Sequence, residues 1–288
     1  MTQNKAWAGA QIVGGRSYQE DAFDVVNIDQ GPGPVLFLLA DGMGGHAAGD
    51  VAAHLAIESF RSSIMENAKP GESCHDVFLS ALDRANRAIA SHTAEHPNTE
   101  GMGCTLIAVE IFGAEVRWLS VGDSLIYHVS RNGITRLNAD HSMASRIDAA
   151  ARRGEITWEE ARKSNSRNVL LSAVTGEAIS RVDKPRESVE LAANDWLIIA
   201  SDGIDTLSTD QIFKVVQSNG QTDDPETLCK ALLAAVVNEG RERQDNTTVL
   251  VAKSTGQSSS VSRDADTKNG DSIITRPIRM EVDSRAER

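Results

Sequence analysis

Residues 104–130 read CTLIAVEIFGAEVRWLSVGDSLIYHVS, and the spacing inside this stretch decides the fold. Cys104–Phe112, Glu115–Val121 and Leu125–Ser130 are rich in Val, Ile, Leu and Thr and have the length of strands. Only short turns at Gly113 and Gly122-Asp123 separate them, and another follows at Asn132-Gly133. A parallel pair needs a crossover of roughly a dozen residues, so turns this tight join antiparallel neighbours. The chain is therefore expected to be α+β with antiparallel sheets, not a series of βαβ units.

Outward from this stretch, strand-like segments recur at Ala22–Ile28, Val35–Ala40, Trp196–Ala200 and Thr247–Ala252. Helical patterns cover Asp50–Ile64, Ser73–Ser91, Met143–Arg153, Thr157–Lys163, Thr209–Gln217 and Pro225–Glu239. Phe78, Leu82, Ala85 and Ile89 make one apolar helix face. Thr157 with Glu160, and Ser208 with Gln211, have capping-box spacing, while Asp224-Pro225 reads as an N-cap followed by proline at the first helical position.

The chain has 288 residues, 40% of them hydrophobic and 24% charged, enough for a sizeable core and incompatible with a fibrous or wholly disordered protein. Lys and Arg total 29 against 41 Asp and Glu, a net charge of −12. That balance argues against nucleic acid or anionic membrane as bulk partners and favours metal cations. Residues 254–288 contain no aromatic residue and are net neutral, so the negative charge sits on residues 1–253. The 254–288 tail is too polar to offset its ordering entropy and reads as disordered. Cys74, Cys104 and Cys229 form no C-x-x-C pattern and read as reduced thiols. With no apolar leader at the start and no apolar run near the ~20 residues of a membrane helix, a cytoplasmic location is expected.

Aspartates punctuate the strand-like runs. Val35–Ala40 runs into Asp41-Gly42, Arg117–Val121 into Gly122-Asp123, and Trp196–Ala200 into Ser201-Asp202, while Asp245-Asn246 precedes Thr247. Carboxylates gathered at buried strand ends repel unless a cation lies between them. An all-oxygen set of this kind suits Mg²⁺ or Mn²⁺ better than zinc. Any single Asp-Gly is more often a plain turn, and the strands could end on opposite edges with their carboxylates solvated. Arg16, four residues before Glu20-Asp21, offers a fork for phosphate oxygens or, read blandly, a surface ion pair. The glycines of Asp41-Gly42-Met43-Gly44-Gly45-His46 match no nucleotide-loop motif.

Taken in order, Arg16…Glu20-Asp21, Asp41-Gly42-Met43-Gly44-Gly45-His46, Gly103-Cys104-Thr105, Val121-Gly122-Asp123-Ser124, Asp140-His141-Ser142, Arg167-Asn168-Val169-Leu170, Ser201-Asp202-Gly203 and Asp245-Asn246 resemble the bacterial metal-dependent serine/threonine protein phosphatases of type 2C. The resemblance covers roughly residues 10–252. It implies a two-sheet antiparallel β-sandwich flanked by helices on both sides, with residues 1–253 as the phosphatase domain. It further implies hydrolysis of phosphoserine and phosphothreonine on proteins by a metal-activated water, reversing a bacterial eukaryotic-like Ser/Thr kinase.

Carried over by position, the resemblance makes Asp41 the bridge between two Mn²⁺ or Mg²⁺ ions, with the Gly42 carbonyl on one and Asp202 and Asp245 on the other. Glu20 and Asp21 would act through bound waters, Asp123 with Asp202 would take a weaker third ion, and Arg16 would clamp the phosphate. His46 is the candidate leaving-group acid, with loop capping as the alternative role, and His141 is expected to fix a loop. Residues 143–168 resemble a flap beside the site. The chain departs from the family at Leu125, where Gly-Asp-Ser is usually followed by Arg, at Lys163-Ser164-Asn165-Ser166 in the flap, and at Leu171-Ser172. Two other classes compete with this reading: a silent phosphoprotein-binding relative, disfavoured by the intact aspartates, and a nuclease, disfavoured by the negative charge.

Overall fold

The computed structural model describes residues 6–28, 33–44, 48–69, 71–219, 224–256 and the backbone of 278–279. Eleven strands build the body: β1 Trp7–Ile12, β2 Asp21–Asn27, β3 Val35–Met43, β4 Gly103–Cys104, β5 Leu106–Phe112, β6 Glu115–Val121, β7 Leu125–Ser130, β8 Gly133–Arg136, β9 Val189–Glu190, β10 Trp196–Ala200 and β11 Thr247–Lys253. Among the described residues six α-helices accompany them: α1 Ala48–Asn67, α2 Phe78–Glu95, α3 Met143–Arg152, α4 Trp158–Lys163, α5 Thr209–Asn219 and α6 Pro225–Asn238. A short strand, β12 at Ile278–Arg279, runs parallel to β1 opposite Ala10 and Gln11. The rest of the polar tail from 257 lies outside the described residues.

One sheet has the order β12-β1-β11-β10-β7-β8 and the other β2-β3-β5-β6-β9, with β4 pairing on β3. All pairings in the body are antiparallel. The two-residue period of a strand assigns the faces. Phe37 and Leu39 join Ile107, Val109, Ile199 and Leu250 in the core between the sheets. Leu36, Leu38 and Ala40 point the other way, onto Ala52, Ala56 and Phe60 of α1 and Phe78, Leu82 and Ile89 of α2. On the opposite side Ile198, Val249 and Val251 meet Ile212 of α5 and Leu228, Leu232 and Val236 of α6. A helix pair, two sheets and a second helix pair thus stack as an α+β sandwich, each large buried side chain contributing about 1.5–3 kcal/mol.

The expected turns and caps form. Thr157 and Glu160 make both bonds of a capping box, and Asp224 accepts the N–H groups of Glu226 and Thr227. Strand β2 lies one residue earlier than its sequence segment and β11 ends one residue later, and two strands differ more. Strand β3 continues through Asp41 to Met43, because Gly42 and Met43 pair with Cys104 and Gly103. The Cys104–Phe112 run breaks at Thr105, whose N–H bonds the Asp41 carbonyl while its hydroxyl accepts the Asp41 N–H.

Candidate metal centre

Antiparallel pairing carries the charged segments to one end of the sandwich. In register, Asp21 at the start of β2 faces Asp41 on β3. Ile12 of β1 faces Thr247 of β11, and Ala200 of β10 faces both Val249 and Leu125. The turn Gly122–Ser124 links β6 of one sheet to β7 of the other, so Asp123 lies at the same end. Gly122 makes this turn at φ +105°, backbone that favours glycine.

Hydroxyl groups hold the deepest carboxylates. Asp21 Oδ2 accepts from Ser201 Oγ and Thr248 Oγ1, both at 2.7 Å, which ties the first sheet to the second. Its other oxygen, Oδ1, is buried with no hydrogen-bond partner among the described residues. The Asp41 N–H donates to Thr105 Oγ1 at 3.0 Å, and that hydroxyl lies 2.8 Å from Ser124 Oγ. Gly42 is needed for close approach: a Cβ there would drive into the Gly49 carbonyl at the start of α1 and the carbonyl of Glu20. The Glu20 carboxylate accepts the Gly49 N–H, and the Glu20 N–H donates to Asn246 Oδ1 at 2.8 Å. Asn246 also donates to the Val13 and Tyr18 carbonyls, holding the loop that carries Arg16. Arg16 Nη2 donates to Asp245 Oδ2 at 2.5 Å.

The electrostatics are those of crowded carboxylates. Burial pushes Asp41 well above the usual carboxylate range, and the charges of Asp21, Asp202, Asp123 and Asp245 add to it. Asp21 rises to about 7, mainly by burial, with the two hydroxyls opposing and Asp202 and Asp245 reinforcing. Asp123 also reaches about 7 through burial, then Asp202 and Asp140. Burial and Asp245 bring Asp202 to about 6 despite a hydrogen bond shared with Asp41. Among the described residues no three such groups close into a finished cage. Like charges crowded without a cation favour the protonated form. The orphaned Asp21 oxygen and the all-oxygen donor set fit a hard divalent cation.

The structure therefore brings together Arg16, Glu20, Asp21, Asp41, Gly42, Asp123, Asp202 and Asp245. His46 lies outside the described residues, and no role for it is placed. His141 is buried, its N–H donating to the Gly122 carbonyl and its Nδ1 facing the Gly122 N–H. All three cysteines are buried, and burial pushes each thiol up, so none is a ready nucleophile. Sequence reasoning missed Arg136. Leu125 is buried in the apolar core facing α5 and α6, but Arg136 from β8 donates to the Asp123 carbonyl at 2.8 Å and lies 3.7 Å from Asp140. A guanidinium thus reaches the Asp123 turn from the neighbouring strand. In the expected flap, Arg167 forks onto Asp148 at 2.6 and 3.1 Å, binding the segment after α4 to α3. Trp158 within the flap and Val169 just after it stay about half exposed.

A family model described as protein phosphatase 2C matches residues 9–235. The chain is 31% identical over 221 residues to the serine/threonine protein phosphatase PstP of Mycobacterium tuberculosis, covering 76% of this chain and 40% of that protein. The chain thus spans less than half the length of that relative. It is 31% identical over 192 residues to the serine/threonine phosphatase Stp of Listeria monocytogenes, covering 66% of this chain and 73% of the relative. Among solved structures, the M. tuberculosis PstP phosphatase superposes with a TM-score of 0.71 at 28% identity, covering 86% of this chain and 97% of that one. The PstP catalytic domain in complex with two manganese ions gives a TM-score of 0.69, also at 28% identity, with 86% and 96% covered. Together with the two-sheet architecture, these likenesses show that the chain belongs to the protein phosphatase 2C family.

Proposed function

We propose that this chain hydrolyses phosphoserine and phosphothreonine on proteins with the help of two Mn²⁺ or Mg²⁺ ions. The observation that carries the reading is the gathering of Asp21, Asp41, Asp123, Asp202 and Asp245, coupled to one another by charge, with Arg16 paired to Asp245 and Arg136 beside Asp123 as the guanidinium groups described there. Asp41, the Gly42 carbonyl, Asp202 and Asp245 would hold the ions. Asp21 and Glu20 would act through waters, and Asp123 with Asp202 would take a weaker third ion. The ions, when bound, supply an activated water and offset the charge that grows on the phosphoryl oxygens.

The chain's own groups do the rest. Arg16 is half exposed and on the rim, where its guanidinium would bind a substrate phosphate, Asp245 being one of the residues that would hold a metal ion. That contact would hold the phosphate monoester in place without a side-chain nucleophile. The hydroxyls of Ser201, Thr248 and Thr105 keep Asp21 and Asp41 in position. Residues 143–168, with exposed Trp158, lie outside the carboxylate set and would meet the protein part of the substrate. Residues 1–253 form the catalytic unit in this reading, and a cytoplasmic setting and an opposing Ser/Thr kinase belong to the same proposal.

The test is phosphate release from a phosphothreonine peptide in Mn²⁺, for the wild type, for EDTA-treated protein and for Asp202→Asn. Turnover that needs Mn²⁺ and falls at least about 100-fold in Asp202→Asn is the expected result. Well-folded, Mn²⁺-loaded wild type without turnover would overturn the proposal in favour of a silent phosphoprotein binder.

A further inference from the structure

Gln244 immediately precedes Asp245 and is 7% exposed. Its Oε1 accepts the Thr206 hydroxyl at 2.5 Å. Its Nε2 donates to the Gly203 carbonyl at 2.9 Å, to Thr247 Oγ1 at 3.0 Å and, at 3.3 Å, to the Asp245 carbonyl. Gly203 and Thr206 belong to the 3-10 turn that opens with Asp202. The Gln244 main-chain carbonyl accepts the Gly15 N–H at 2.7 Å, next to Arg16. One residue therefore joins the turn carrying Asp202, the loop carrying Asp245 and the loop carrying Arg16.

We propose that Gln244 is a positioning residue: its amide fixes the Asp202 turn against Asp245 and so sets how tightly the site binds a divalent cation. The inference rests on the reading that these carboxylates hold such a cation. The chemistry of the clamp is directional. An amide offers one acceptor for the Thr206 hydroxyl and two N–H groups for the oxygens opposite. A carboxylate of the same size would face the Gly203 carbonyl with an oxygen and push the turn away. A purely volume-filling residue would not distinguish the two.

Mn²⁺ affinity is the decisive readout, measured on the full chain by the EPR signal of free Mn²⁺ and paired with thermal midpoints in EDTA. Gln244→Glu and Gln244→Ala should raise the Mn²⁺ dissociation constant by about 10- to 100-fold, the usual cost of losing a partner behind a metal ligand. Turnover should recover as Mn²⁺ is raised. Thr206→Val, which removes one hydroxyl at constant volume, should shift affinity in the same direction by less, and it decides the matter if the Gln244 variants do not fold. Folded variants with an unchanged Mn²⁺ dissociation constant would overturn the inference, whether or not their EDTA midpoint falls, since a lower midpoint alone marks a merely structural role. Wild type that binds Mn²⁺ but turns nothing over would sink the activity reading and leave this one standing. Wild type that binds no Mn²⁺ would sink both.

Discussion

Asp41 is the carboxylate with the most acidic neighbours: Asp21, Asp202, Asp123 and Asp245 all act on it in a buried setting. In the absence of a cation, burial first and this repulsion second disfavour the ionised carboxyl in the folded state. Asp41→Asn spares the folded state the cost of holding this carboxyl, ionised or protonated, at nearly constant volume, and should therefore stabilise the cation-free protein while abolishing activity. A relief of about 1 kcal/mol would raise the midpoint by about 2–4 °C in EDTA. Melting curves with and without Mn²⁺ check it: the variant should start higher and gain less from Mn²⁺ than the wild type, and a variant that melts lower in EDTA contradicts the argument. At this scale the aspartates were legible in the sequence because each follows or precedes an apolar strand run. Ser201, Thr248, Asn246 and Gln244 were not, because their roles are defined by partners that are remote in sequence. Asn246 meets Glu20 and Tyr18 from more than 220 residues away, a distance that no local pattern encodes.

The hairpin of β7 and β8 shows how an element replaces a residue. Leu125 fills the apolar core where the family resemblance implies an arginine, and Arg136, opposite Tyr127, turns its guanidinium back onto the Asp123 carbonyl. Replacing Arg136 by Ala leaves that carbonyl and Asp140 without their cation. A loss of about 1–3 kcal/mol is expected, as for other hydrogen bonds to charged groups. Denaturant unfolding of Arg136→Ala against the wild type checks this, and a change under about 0.5 kcal/mol, the range of ordinary surface substitutions, would show that Arg136 is a surface residue only. Most elements were readable from period and turns: β6, β7 and β10 coincide with their sequence segments. Strand β1 was missed because Trp7-Ala-Gly-Ala-Gln-Ile12 has little β propensity, and pairing with β11 over six residues overrides it. Strand β9, two residues long, carries no periodic signal at all.

For the molecule as a whole, the site couples stability to pH and to metal. Folded Asp21 and Asp123 titrate at about 7 and Asp202 at about 6, against an ordinary aspartate value of 3.8. Between about pH 4 and 7 the folded chain therefore holds protons that the unfolded chain has released. Stability falls with rising pH wherever the native state binds the more protons. The contribution of these carboxyls is present in full below about pH 4 and is lost as pH rises through 6 to 7. Cation-free protein should accordingly melt at progressively lower temperature from pH 5 to pH 7.5, against the common trend for paired carboxylates. If the proposed site holds divalent cations, they should reverse the sign, because they would bind the deprotonated carboxylates of the folded state and add stability by mass action. The Mn²⁺-induced rise in midpoint should be small at pH 5 and large at pH 7.5, where proton competition has gone. Thermal melts across that range, in EDTA and in excess Mn²⁺, test both halves together. An EDTA midpoint that climbs steadily to pH 7.5 would mean that the buried aspartates are already compensated by protein groups, leaving no electrostatic reason for a cation to bind.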